Sequence, residues 1–138
     1  MAVSYKILKE FDVVYVKYVG PPEILAAIAL FESYQRDPDC RPGQKHFVDL
    51  SDISEPVGDY IEMMKFMAKM ADQFTQDSPQ TLLVCYAPTP LSRKVAIMGQ
   101  KSWDKVDQVV YRVIEDEAAA LAFLGLTAKS VADLLADA

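Results

Sequence analysis

The chain has 138 residues and a net charge of −6, with 51% apolar and 25% charged residues. This length predicts a single domain over residues 1–138 with a sizeable buried core. The scattered cations of an acidic chain do not form the basic face of a nucleic-acid-binding protein. The longest apolar run, residues 24–31, is much shorter than the roughly 20 residues that cross a bilayer, so we expect no membrane span. Two cysteines without CxxC spacing and an N-terminus without an apolar signal core favour a reduced, cytoplasmic protein.

The first third of the chain predicts a hairpin, a helix and a third strand. Residues 5–8 and 13–19 are rich in β-branched and aromatic side chains, and their short link favours antiparallel pairing. A helix over 23–35 follows, with apolar residues on one face. Pro38 ends it, and a turn leads to a third strand over 45–49.

The rest of the chain alternates helices and strands. The pattern predicts a helix over 59–76, a strand over 81–87, a helix over 90–103 begun by Thr89, a strand over 109–114, and two helices capped by Asp116 and Thr127. Such alternation predicts an α/β fold. Its sheet has about five strands, mostly parallel after the N-terminal antiparallel hairpin, with right-handed crossovers.

The helix over 59–76 has an unusually wide apolar arc. It covers about 220°, whereas a surface helix needs roughly 100° to sit on a sheet. We therefore expect a second cover, which is either an interface with a homodimer or protein partner, or an apolar ligand pocket. The candidate side chains come from this helix and the end of the next one: Met63, Phe66, Met67, Met70 and Trp103.

Two polar groups are candidates for binding a ligand or an anion. Asp49, Ser51 and Asp52 stand at a predicted carboxyl strand end, where α/β sheets bind ligands, although loop capping is the favoured interpretation. Ser92 and Arg93 lie in the first turn of a helix, where free N–H groups hold anions; a solvated basic patch is the favoured alternative. The residues identify no metal ligand set, and we predict no cofactor.

Catalytic patterns are weak. The one histidine, His46, stands at a strand start without a nucleophile elbow, and neither GxGxxG nor a phosphate-binding loop occurs. A non-enzymatic protein is therefore favoured. An enzyme that uses Asp49, Asp52 and Tyr86 is a third hypothesis, which would need these side chains to converge.

Three segments, in their order, resemble the SpoIIAA-like family of small bacterial proteins, which is related to STAS domains. They are the hairpin ending at Gly20, the closing segment DEAAALAFLG over 116–125, and the pattern Asp37-Pro38, Pro42-Gly43, Val48-Asp49-Leu50-Ser51. The resemblance implies a STAS-like strand–helix superhelix. Regulated relatives carry a phosphorylated serine where this chain has Gly58, so the resemblance does not carry that modification over. The fold's distant similarity to CRAL-TRIO lipid-binding domains implies a lipid or other apolar ligand as an alternative.

We therefore expect a non-enzymatic regulatory module that acts through protein–protein association, as a homodimer. The alternative is a carrier or sensor of a small hydrophobic ligand or lipid.

Overall fold

The computed structural model describes residues 2–21, 23–55, 60–72, 79–103 and 106–136. Within them, five strands and five helices follow one another along the chain. Their bounds are β1 Ala2–Leu8, β2 Val13–Gly20, α1 Ile24–Arg36, β3 Lys45–Ile53, α2 Tyr60–Ala71, β4 Thr81–Tyr86, α3 Pro90–Trp103, β5 Val109–Ile114, α4 Glu117–Phe123 and α5 Val131–Ala136.

The strands form one sheet in the order β1-β2-β3-β4-β5. The first two pair antiparallel, and each later pair is parallel. The α/β class and the mixed five-stranded sheet are therefore as the sequence predicted. No helix in the described part of the chain combines the length and the apolar character needed to cross a membrane.

One face of the sheet is covered by α4 and α5. Phe47 and Val84, at the centre of two neighbouring strands, are fully buried there. They pack in one cluster with Leu121 and Leu124 at the end of α4 and with Leu134 of α5. Asp116 caps α4 as predicted, by accepting a hydrogen bond from the Ala119 N–H at 2.8 Å.

The cap predicted for the last helix is wrong. Ser130, and not Thr127, accepts a hydrogen bond from a first-turn N–H, that of Asp133, at 3.1 Å. The start of α5 is also tied to α4, because the Val131 N–H donates to the Glu117 carboxylate. The carboxylate from the neighbouring helix thus satisfies an N–H group that would otherwise lack a partner at a helix start.

The opposite face of the sheet carries α1, α2 and α3. Cys85 and Tyr111 pack there with Trp103 of α3, and Val14 and Val16 pack with Tyr34 of α1. Helix α2 contacts both α1 and α3. It therefore buries apolar side chains such as Phe66 and Met70 against its neighbours, which accounts for part of its wide apolar arc.

Strand β3 is longer than the predicted 45–49, and it contains a bulge. Lys17 pairs with Asp49, but Val19 pairs with Asp52, so β3 has one residue more than β2 between these pairs. The Ser51 N–H donates to the Asp49 carboxylate at 2.9 Å. The polar residues expected to close the strand instead continue it through the bulge, which commonly re-aims side chains near sites.

Candidate functional site

The structure brings the predicted polar residues of β3 together around one buried carboxylate. Asp49 is only 3% exposed. It accepts hydrogen bonds from the Tyr15 hydroxyl at 2.5 Å, from the Ser51 hydroxyl at 2.5 Å and from the Ser51 N–H at 2.9 Å. Lys17 Nζ lies 3.7 Å from the same carboxylate and 2.9 Å from that of Asp52. The cluster thus spans the two neighbouring strands β2 and β3.

The electrostatics of this cluster keep its donors protonated. Burial, then the hydrogen bond to Asp49, raises the pKa of the Tyr15 hydroxyl. The hydrogen bond to Asp52 raises the pKa of the Lys17 ammonium, and burial partly opposes this. Both oxygens of Asp49 already accept bonds from protein groups, which suits a carboxylate that fixes the bulge. Asp49 therefore bonds to nearby backbone and hydroxyl groups, as the capping interpretation expects, but it does so within strand β3 and not in a loop.

Tyr86, the third residue of the enzyme hypothesis, lies beside this cluster on β4. It is the register partner of Asp49, and its ring centroid is 6.1 Å from that of Phe47. Burial, and then the negative charge of Glu117, raises the pKa of the Tyr86 hydroxyl. Among the described residues, no group of three or more histidine, cysteine, aspartate or glutamate side chains is arranged to hold a metal ion.

Ser92 and Arg93 have partners of their own at the start of α3. Ser92 is fully buried, and its hydroxyl donates to the Thr89 carbonyl oxygen at 2.9 Å. In return, the Ser92 N–H donates to the Thr89 hydroxyl at 3.0 Å, which is the cap that the sequence predicted. Arg93 forms an ion pair with Glu115 at 3.3 Å. Ser92 and Arg93, the two residues expected to hold an anion, are therefore already bonded to other groups of the chain.

Four of the five apolar candidates have described side chains, and these lie inside the molecule. Met63, Phe66 and Trp103 are buried, and Met70 is half-buried against the cluster that contains Trp103. The Phe66 ring meets Phe31 of α1 edge-on, at 6.1 Å and 80°. The Met67 side chain and Gly58 lie outside the described residues. The buried part of the arc is therefore covered by the neighbouring helices, whereas Ile61 at the start of α2 stays 66% exposed.

Three of these apolar candidates, Phe66, Met70 and Trp103, line a cavity of about 100 Å³ between the sheet and the helices. The sequence did not predict a ligand-binding role for the other side chains around it, which include two from α1 and four from the sheet: Phe31, Tyr34, Tyr18, His46, Cys85 and Tyr111. The strand residues among them share one feature, which is that they point to the sheet face under α1, α2 and α3. Alternation along each strand predicts two faces, but only the tertiary structure says which one faces a cavity.

The titratable groups of this cavity are uncharged near neutral pH. Burial lowers the pKa of His46 to about 4, and the imidazole meets the Tyr34 ring edge-on at 5.5 Å. Burial raises the pKa of the Cys85 thiol to about 12. The thiol donates to the Tyr111 hydroxyl at 3.0 Å, and that hydroxyl donates to the Ala96 carbonyl oxygen at 2.8 Å. The cavity is therefore an apolar, aromatic space without a charge of its own.

A second candidate surface lies at the edge of the sheet. In the described residues, β1 pairs with β2 on one side and has no strand on the other. An open groove of about 580 Å³ runs between β1 and α1. Its α1 side includes Ala26, Ala29 and Ser33, and its β1 side is formed by Val3, Ser4 and Tyr5. The sequence pattern did not predict a role for this edge.

Comparison of the chain with protein-family models, curated proteins and solved structures finds no match. The SpoIIAA-like resemblance therefore stays a prediction that rests on the three sequence segments. The arrangement of the described strands and helices is consistent with the coarse α/β fold that the resemblance implies.

Proposed function

We propose that the chain is a non-enzymatic association module that forms a homodimer through the free edge of β1. The observation that carries this proposal is the seven-residue strand Ala2–Leu8, which has a single neighbour and stands beside an open groove. The N–H and C=O groups of such an edge are a template for another strand. The free cysteines, Cys40 and Cys85, suit a reduced cytoplasmic setting for this module.

The pattern of β1 supports a second copy of itself as the partner. Val3, Tyr5 and Ile7 pack on the α1 side of the sheet, whereas Ser4 and Lys6 are exposed. Antiparallel pairing centred on Tyr5 sets Val3 opposite Ile7 and Ser4 opposite Lys6. Apolar residues then meet apolar residues on one face, and two lysines do not meet directly on the other.

Helix α1 supports the same arrangement. A two-stranded pairing alone is marginal in water, so a stable dimer needs contacts beyond the strand. The residues of α1 that line the groove, Ala26, Ala29 and Ser33, are small and lie three and four positions apart. Small side chains at this spacing let a second helix approach to the 8–10 Å typical of packed helices.

A pair of charge changes tests the predicted register. Ser4→Lys sets like charges opposite each other twice in the symmetric dimer, and each pair costs roughly 0.2–1 kcal/mol. We expect the dimer dissociation constant to rise about 2- to 30-fold. Adding Lys6→Glu replaces both repulsions with attractions and restores the dimer. Sedimentation equilibrium measures the constants, and Lys6→Glu alone is the matched control, because it faces an uncharged serine.

Two further controls separate pairing from folding. Ser4 is also the register partner of Lys17 within the chain, so circular dichroism has to confirm that each variant is folded. Arg112→Glu makes the same cation-to-anion change as Lys6→Glu, at an exposed position of β5, the other edge strand of the described sheet. It should leave the dimer unchanged. A wild-type protein that stays monomeric at high micromolar concentration contradicts the proposal. So does a double variant that associates no better than Ser4→Lys.

A second function, binding of a small hydrophobic ligand, is favoured by the cavity that Phe66, Met70 and Trp103 line. Its volume of about 100 Å³ is well below the roughly 300–1,000 Å³ of pockets that bury drug-sized ligands. A long-chain lipid therefore does not fit without a rearrangement of α2. Within this second function, a small ligand is favoured over lipid carriage.

A further inference from the structure

We infer that the cavity between the sheet, α1 and α2 binds an uncharged aromatic molecule with a single ring. This inference rests on the second function proposed above. The volume of about 100 Å³ exceeds the roughly 30 Å³ that a water molecule occupies in the liquid. It approaches the ~150 Å³ of an apolar protein cavity known to hold benzene. The space therefore corresponds to one small ring, and a second fused ring is too large for it.

The walls favour a ring over an aliphatic molecule of equal size. Phe31 and Phe66 already meet edge-on at 6.1 Å, and the Trp103 side chain lines the same space. Aromatic rings gain from edge-to-face contacts beyond the area that they bury. Met70 and Cys85 add sulfur atoms to the lining, and sulfur–ring contacts are also favourable. An aliphatic guest makes neither kind of contact.

Two tyrosine hydroxyls of the walls are already bonded within the chain, and the described lining residues supply no cation at neutral pH. The Tyr34 hydroxyl donates to the Gln44 side chain at 2.6 Å, and the Tyr111 hydroxyl donates to the Ala96 carbonyl oxygen at 2.8 Å. His46 is the one lining residue of a basic type among those described, and burial holds its pKa at about 4, so it is neutral at pH 7. A carboxylate or phosphate would therefore be desolvated here without a cationic partner.

The chain carries its own reporter for this site. Trp103 is the single tryptophan of the sequence, and it lines the cavity. Titration with toluene, which has one ring and no charge, should give a saturable change in tryptophan fluorescence. The same titration should raise the melting temperature, because a ligand at ten times its dissociation constant lowers the unfolding equilibrium constant about 11-fold.

A cavity-filling variant locates the bound ring. Ala27 is 4% exposed and lines the cavity, so Ala27→Leu places three further carbon atoms in the same space. We expect toluene binding to weaken at least about 10-fold, which is the loss of 1.4 kcal/mol or more of binding free energy. Ala122→Leu makes the same chemical change at an exposed position of α4, across the sheet, and should leave binding unchanged.

A measurement on the wild-type protein keeps the test valid if Ala27→Leu fails to fold. Toluene should shift the NMR signal of the Met70 methyl group, which lines the cavity, and leave that of Met98 on α3 in place. Equal shifts at both methionines, or no shift at either, overturn the inference.

Three probes separate this inference from the broader function on which it rests. Toluene binding that exceeds methylcyclohexane binding, with no response to decanoate, supports an aromatic site. Equal binding of toluene and methylcyclohexane, or binding of decanoate alone, overturns the aromatic class and leaves a hydrophobic-ligand function standing. If none of the three binds, the inference and that function both fail.

Discussion

Acid should destabilise this protein through His46, and the effect can be worked out from its burial. Burial lowers the pKa of the imidazole from 6.5 to about 4. Between these values the unfolded chain holds a proton that the folded chain does not, so the free energy of unfolding falls as the pH falls. His46 does not change the free energy of unfolding above about pH 7, and its effect is complete below about pH 4. From pH 7.5 to 4.5 the loss is up to about 2.5 kcal/mol, an upper value because His46 is only partly buried.

Urea unfolding of the wild type and of His46→Gln at both pH values measures this loss. Glutamine cannot titrate, so the variant should lose up to about 2.5 kcal/mol less than the wild type over the same interval. The carboxylates are common to both proteins, and their contribution cancels in the difference. The absolute stability of the variant does not matter, because only the change with pH is compared. Equal losses in the two proteins would show that His46 is not held neutral by its surroundings.

Three further substitutions test the polar cluster and the turns. Asp49→Ala removes the acceptor of three hydrogen bonds and should lower the free energy of unfolding by about 3 kcal/mol or more in urea titrations, whereas a loss below about 1 kcal/mol would contradict this role. Gly43 and Gly125 both have φ of +77°, but a Cβ on Gly43 would lie 3.0 Å from Pro79 and one on Gly125 would meet nothing within 4 Å. Backbone strain alone should therefore lower the free energy of unfolding of Gly125→Ala by about 1–2 kcal/mol, as measured from melting curves. The contact with Pro79 should lower that of Gly43→Ala further. Equal losses of stability in the two variants would refute the steric reason.

The sequence predicted elements well where local signals agree. Strand β5 has its predicted bounds, Val109–Ile114, and α3 spans Pro90–Trp103 as expected. The third strand was predicted too short because Asp49, Ser51 and Asp52 read as a loop. Ser51 bonds to Asp49 within the strand, but the Tyr15 hydroxyl and the Lys17 ammonium that pair with the two aspartates come from another strand. No local pattern reveals that a buried carboxylate is satisfied across the sheet.

The wide arc of α2 shows a second limit of sequence reasoning. Its width predicted a cover beyond the sheet, and apolar area leaves water equally well under a neighbouring helix, a ligand or a partner protein. The Phe66 ring contacts the Phe31 ring of α1 edge-on, and Met70 packs in the cluster that contains Trp103 of α3. For these two side chains, the order of the helices on the sheet identifies the cover, whereas Ile61 of the same helix stays 66% exposed.

Helix α1 carries residues of both proposed surfaces, which adjoin at Leu30. Ala27, Phe31 and Tyr34 line the cavity, whereas Ala26 and Ala29 line the groove beside β1. Successive positions of a helix are turned by 100°, so the two sets form adjoining stripes that share Leu30. Ala27 lines only the cavity and Ser4 lines only the groove. Filling the cavity with Ala27→Leu therefore should not alter the dimer, and changing the charge of β1 should not alter toluene binding. Because each test changes a residue that lines only one of the two spaces, the association proposal and the aromatic-ligand inference can each fail without the other.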